Sequence, residues 1–423
     1  MESWFKISLL LCVFGFIKEF RPSEPFIYEY LSGPWRDLDD DEVTQKVYPV
    51  GTYSYLVHLL LVFLITDFLR YKALIVILGL SGIIVWSMLI WTTSLFHLQV
   101  LEGVYGTFMS CEVAYYTYIY AKVDTKYYLQ VSSHTRASIL AGRALSSIVA
   151  QLLISFELMD YKELNYISLG AMIIASCWSL FLPNVKKSIY FHQDGVEKVQ
   201  MSSKFRGAFT LMKTHFLESF SNRYALKWSI WWALTTAGFI QVQVYAQPLW
   251  GEILDSSEGS VYNGAVEAAA TLLGFLSALF AGYLKIEWKG KGELVLSICA
   301  IIAGGLIVLS SQTEYVMVSY ICYALYCCIY QFMITIASSE IAKCIADDSY
   351  GLVFGINTFI ALVLQTILTL IFVEEKGFHM KPRDQHLVYG IYHFLISIVF
   401  IIIGLISLAK RRRNNSKRSL TIQ

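Results

Sequence analysis

The sequence predicts an all-α membrane protein of about twelve transmembrane helices in two six-helix halves. Three observations carry this expectation. Of 423 residues, 56% are hydrophobic and only 15% are charged, whereas soluble domains run at about 45–50% and about 25%. Mean hydropathy is +0.54. Long stretches also lack any Asp, Glu, Lys or Arg: 73–101, 164–185, 228–251, 294–313, 315–339, 350–373 and 387–409. Each is long enough for the about 20 residues that a helix needs to cross a bilayer.

Along the chain, the first apolar run, Ile7 to Ile17, lacks a basic n-region and a small-residue cleavage site. It is therefore expected to open a first membrane helix near 5–31 rather than to act as a signal peptide. Further helices are expected near 51–69 and 98–121, with the boundary between the third and fourth spans near Ser94–His97. Two more spans carry one charge each: 137–156 holds Arg143 and 261–284 holds Glu267. Polar breaks are short except at 186–225, which contains Lys186, Lys187, Lys198, Lys204, Arg206, Lys213 and Arg223. The expected division is a first half at 1–185, a cytoplasmic basic linker loop at 186–225, a second half at 226–410 and a basic tail at 411–423. Two six-helix halves around a basic loop resemble the major facilitator layout, although no strong internal sequence repeat is visible.

Lysine and arginine placement orients the chain. With both termini in the cytoplasm, Arg70, Lys72, Lys122, Lys126, the linker, Lys285, Lys289, Lys291, Lys343 and Lys410–Arg413 all fall inside. The outside receives few basic residues and the acidic run Asp37, Asp39, Asp40, Asp41 and Glu42. A net charge of +1 gives no reason to expect nucleic acid; the expected surroundings are the lipid bilayer. The eight cysteines form no C-x-x-C pair, so neither zinc nor a disulfide framework is expected. No phosphate-binding Walker loop, H-E-x-x-H or nucleophile elbow occurs, which argues against an ATP-driven pump or a hydrolase. No cofactor is expected.

Charges at membrane depth are costly, about 2.5–3.5 kcal/mol each, and so need a reason. Glu24 lies between Pro22 and Pro25, where lost hydrogen bonds either interrupt the helix as a binding device or simply end it. On the fourth span Glu102 has Tyr105 three residues on, and Glu112 has Tyr115 and Tyr116 three and four residues on. Those spacings place a ring near each carboxylate, a pattern suited to an organic cation, to proton carriage, or to structural bonding between helices. Arg136 and Arg143, seven apart, share a face of the fifth span. Arg143 either pairs with an intramembrane carboxylate or meets an anionic part of a substrate, and Glu267 poses the matching choice. Gln365 is expected to bond helix to helix. Asp67 and Arg70, at the turn into the third span, are the candidate for a cytoplasmic gate.

Several strings resemble the folate/thiamine carrier family within the major facilitator superfamily. They are Arg21-Pro22-Ser23-Glu24-Pro25-Phe26, Thr66-Asp67-Phe68-Leu69-Arg70, Tyr262-Asn263-Gly264-Ala265-Val266-Glu267 and Val353-Phe354-Gly355-Ile356-Asn357. The resemblance runs from about residue 5 to 410 and implies uptake of a vitamin across the plasma membrane. Folate carriers place cations where this chain has Glu112, Cys327 and Gln365, which favours the cation thiamine over the dianion folate. Resemblance to the thiamine branch implies a pocket of Glu24, Tyr48, Trp86, Glu102 and Tyr105, with Glu102 on the aminopyrimidine between aromatic rings. Three departures stand out: Gly51 replaces a tryptophan, Ile240 an asparagine and Arg143 a tyrosine. Arg143 favours a folate or phosphorylated-thiamine substrate unless Glu102, Glu112 or Glu267 neutralises it. Gly51 and Ile240 also motivate a non-transporting receptor or scaffold on a carrier fold. Protons, through Glu24, Glu102 or Glu112, or an exchanged anion are the expected drivers.

Overall fold

The computed structural model describes residues 3–36, 38–66, 68–124, 127–185, 201–254, 261–284, 288, 291–345 and 350–421. Asp37, Asp67, Lys126, Lys186, Lys187, Lys198, Lys285 and Lys289 lie outside the described residues. The first expected span is two helices. Helix α1 (Ser3–Lys18) stops before Pro22, a 3-10 turn follows at Glu24–Phe26, and α2 is the short helix Ile27–Leu31. Pro22 and Pro25 have no N–H to donate, so a continuous ladder cannot pass through them. Pro25 sits in the first turn of its 3-10 segment, where that loss is harmless.

Helix α3 (Tyr48–Thr66) follows a π-helical turn at Val43–Val47. The link to α4 (Lys72–Trp91) places Arg70 and Tyr71 at φ 59° and 63°, left-handed backbone that costs a side-chain-bearing residue on the order of 1 kcal/mol or more. Helix α5 (Leu95–Ser110) is capped by Ser94, whose Oγ accepts the His97 N–H, as an N-cap serine should. A turn at Cys111 separates it from α6 (Glu112–Lys122), so the fourth expected span is interrupted between its two carboxylates. Helices α7 (Tyr128–Ser155) and α8 (Leu164–Ser179) follow. Residues 201–221 of the expected linker loop form a helix, α9 (Met201–Ser221). Phe209, Met212, Phe216 and Phe220 recur along it at helical spacing, the pattern of an amphipathic helix. Then come α10 (Arg223–Leu254), α11 (Asn263–Tyr283), α12 (Gly292–Gln312), α13 (Val316–Ala342), α14 (Tyr350–Phe372) and α15 (Pro382–Thr421). The last runs on through most of the expected tail.

Among the described residues, seven helices are long and apolar enough to cross a membrane: α4, α7 and α11 to α15; α8 is a shorter apolar helix. The outer surface is apolar as well. Helix α4 buries Leu74, Leu78, Val85 and Leu89 but leaves Ile77, Leu80, Ile84 and Trp91 exposed, a face that water would penalise and lipid accepts. This is a multi-pass membrane protein.

The repeat that is invisible in the sequence is visible in the packing. In the first set of helices α1 packs on α7, α3 on α5 and α4 on α8. In the second set α10 packs on α14, α11 on α13 and α12 on α15. Counting α1–α2 and α5–α6 as single units, these are the same partners six positions later. The sets meet along two seams that repeat in the same way, α3 on α14 and α7 on α11.

Candidate functional site

The break between α1 and α2 frees backbone groups inside the protein, and other helices take them up. The Ser23 N–H donates to Ser168 Oγ at 3.2 Å. Gln247, on α10, accepts the Tyr28 N–H at 3.1 Å and donates to the Glu24 carbonyl at 2.9 Å. One glutamine from the second helix set therefore bonds both a donor and an acceptor of the segment that follows the break, as a buried backbone requires.

Four charged side chains of the same segment gather with two from other helices. Lys18, Glu19 and Arg21 are 0%, 3% and 4% exposed. Glu19 Oε1 is 2.7 Å from Lys18 Nζ, and Oε2 accepts from Arg21 Nη2 at 3.0 Å and from Arg143 Nε and Nη2 at 3.1 and 2.9 Å. Lys18 also pairs with Glu112, and Arg21 Nη1 lies 2.7 Å from Glu24 Oε1. The Arg21 guanidinium lies 5.7 Å from the ring of Trp86 and 5.3 Å from that of Phe108, within cation–π range. Three cations are thus matched by three carboxylates, the arrangement that makes buried charge tolerable.

The expected partners of Arg143 were Glu102, Glu112 or Glu267; the structure gives it Glu19 instead. Lys18, Glu19 and Arg21 fall within the first expected span, where charge needs a partner, but nothing in their sequence neighbourhood points to Arg143. Arg143 keeps its side chain 38% exposed. It lies roughly opposite Leu145, Ile148 and Leu152, the exposed apolar face of α7, at 3.6 residues per turn. Its open side therefore faces the interior rather than lipid.

The other candidate residues divide by environment. Glu102 is partly buried on α5, and its carboxylate has no hydrogen bond or ion pair among the described residues. Tyr105, one turn on, stacks on Phe108 at 5.8 Å and donates to Glu24 Oε1 at 3.4 Å. Tyr48 meets Tyr245 edge-on at 6.1 Å. Trp86 is 2% exposed and gives its indole N–H to Ser23 Oγ at 2.9 Å, so it braces the broken segment. Tyr115, three residues past Glu112, donates to the Leu11 carbonyl at 2.9 Å. Glu267 accepts from Tyr323 at 2.8 Å. Arg136, exposed two turns from Arg143, is not joined to the ionic cluster. Gln365 bonds across the α3–α14 seam, 3.5 Å from Thr52 Oγ1. Arg70 is exposed at its turn, and its expected gate partner Asp67 is outside the described residues.

A broken first helix, paired charges at its break and two helix sets closing around them define a membrane transporter of the major facilitator type, not an enzyme. The fold is shared with the POT family transporter PepTSo, at a TM-score of 0.69 and 12% identity over 96% of this chain and 99% of that one. It is also shared with the nucleoside transporter NupG, at a TM-score of 0.64 and 15% identity over 94% and 98%. The reduced folate carrier family profile matches residues 2–388, and the chain belongs to that family. Among its relatives are human thiamine transporter 1, 38% identical over 97% of this chain and 92% of that protein, and human thiamine transporter 2, 38% identical over 95% and 90%. Folate transporter 1 of Caenorhabditis elegans is 36% identical over 97% and 94%.

Proposed function

We propose that this chain takes up thiamine across the plasma membrane by secondary active transport, with both termini in the cytoplasm. The observation that carries the substrate is the charge left over at the centre. Lys18, Arg21 and Arg143 are consumed by Glu19, Glu24 and Glu112. Glu102 stands without a cation, beside Tyr105. An unpaired carboxylate with aromatic neighbours suits a cationic ring, and a dianionic folate finds no free cation in the cluster. An anionic vitamin would have to draw Arg143, the cluster's most exposed cation, away from Glu19. The thiamine transporters among the relatives support the same reading.

Alternating access gives the mechanism: the two helix sets rock about the centre. Hydrogen bonds across the sets gather at the end that holds residues 24–53, the end expected outside. Besides Gln247 they include Asn263 Nδ2 to Glu29 Oε1 at 2.6 Å, Tyr53 to Glu374 at 2.6 Å, and Gln151 to the Val261 carbonyl at 3.2 Å. This is the seal that an outward opening has to break. A proton on Glu102, or an exchanged anion, supplies the drive. Gln247→Ala should weaken the seal and shift the carrier outward-open. A cysteine placed in the central site of that variant should react with an impermeant external reagent about tenfold faster, as loss of roughly 1.4 kcal/mol of sealing predicts. An unchanged rate would remove Gln247 from the gate.

The substrate is tested by uptake of labelled thiamine and labelled reduced folate side by side at two external pH values. The expected result is thiamine uptake blocked by excess thiamine and not by folate. Saturable folate uptake without thiamine uptake would overturn the reading and assign Arg143 to the substrate.

A further inference from the structure

Helices α3 and α5 cross closely at two glycines. A Cβ at Gly106 would run into Ser54 Oγ and the adjoining backbone, and a Cβ at Gly51 would fall on Glu102 Oε2. Ser54 ties the crossing together, with its Oγ 3.1 Å from the Gly51 carbonyl and donating to the Glu102 carbonyl at 2.8 Å. The backbone of Glu102 is thus fixed against the turn of α3 that carries Gly51. The Glu102 side chain folds back into the one volume along that turn that has no Cβ. It has no hydrogen bond or ion pair of its own among the described residues, so packing against this turn helps to locate the carboxylate.

We infer that Gly51 is a positioning residue that sets where the Glu102 carboxylate meets a cationic substrate, and thereby which cations fit. The inference rests on Glu102 being the substrate's carboxylate. Any side chain at position 51 expels the carboxylate from its recess. The distance to a bound cation then changes, and with it the length of cation that the site accommodates. Gly51 therefore acts through Glu102 and needs no contact with substrate.

The experiment is a double-mutant comparison of thiamine uptake in the full-length carrier: wild type, Gly51→Ala, Glu102→Gln and the two combined, each corrected for surface expression. Gly51→Ala is expected to raise KM about fivefold with little loss of kcat, and to add nothing once Glu102 is glutamine. A Gly51→Ala effect that persists undiminished in the Glu102→Gln background overturns the inference. Normal uptake by Glu102→Gln alone instead defeats the proposed site, so the two failures are distinguishable. Glu102→Asp provides the second variant, because its shorter side chain withdraws the carboxylate from the Gly51 recess. Combined with Gly51→Ala it should recover KM, or surface expression if the alanine variant fails to reach the surface. No recovery of either counts against the contact.

Discussion

Replacing Glu102 by glutamine is expected to lower thiamine kcat/KM by about ten- to a hundredfold while the amount of carrier at the cell surface stays at the wild-type level. A charge-assisted interaction contributes about 1.5–3 kcal/mol, and about 1.4 kcal/mol corresponds to tenfold in binding. The surface level should hold because the Glu102 carboxylate makes no ion pair or hydrogen bond among the described residues; glutamine keeps its shape and removes its charge. Uptake kinetics with surface biotinylation separate the two quantities. Unchanged uptake would take Glu102 out of the site; lost surface expression would make it structural.

The opposite pattern is expected at Glu19. Its carboxylate serves Lys18, Arg21 and Arg143, and its side chain is 1% exposed. Glu19→Gln leaves three cations to share Glu24 and Glu112. Breaking a buried pair from one side costs about 3–5 kcal/mol, enough to lose most folded carrier from the membrane. Arg143→Met should be far milder, because Glu19 keeps Lys18 and Arg21 and the removed group is partly exposed. Thermal unfolding of detergent-purified protein, followed by tryptophan fluorescence, should rank the three as wild type, then Arg143→Met closely, then Glu19→Gln well below. Equal losses in the two variants would show that Glu19 is not the hub of the network.

The membrane class and the order of the helices were legible because lipid imposes a length and a composition on each span, and both can be read residue by residue. The break in the first span was legible in part: two prolines three apart ruled out a continuous helix, but they left open whether the span is interrupted there or ends. The turn at Cys111 carried no such signal: no proline or glycine marks it. The pairing of Arg143 with Glu19 was hidden for a different reason. Charges at 18–24 sit next to one another in sequence and can pass for a solvated helix end; only the packing of α1 on α7 makes them a buried cluster. Tyr105 and Tyr115 show the limit of spacing arguments. Both lie three residues past a glutamate, yet one hydroxyl reaches the Glu24 carboxylate and the other the Leu11 carbonyl of α1.

The balance of charge in the α1 cluster bears on how the membrane potential acts. Three cations and three carboxylates moving together carry no net charge, so the potential does no work on that cluster as the helix sets rock. An ionised Glu102 is different. In the proposed transport cycle a bound monovalent cation cancels it, and the loaded carrier crosses the field electrically silent. Empty and unprotonated, it is a negative charge that an inside-negative voltage drives outward, by up to about 2.3 kcal/mol per 100 mV for a full charge across the whole field. Hyperpolarisation should therefore speed the return of the empty carrier rather than the inward passage of the vitamin, so that voltage sets maximal turnover.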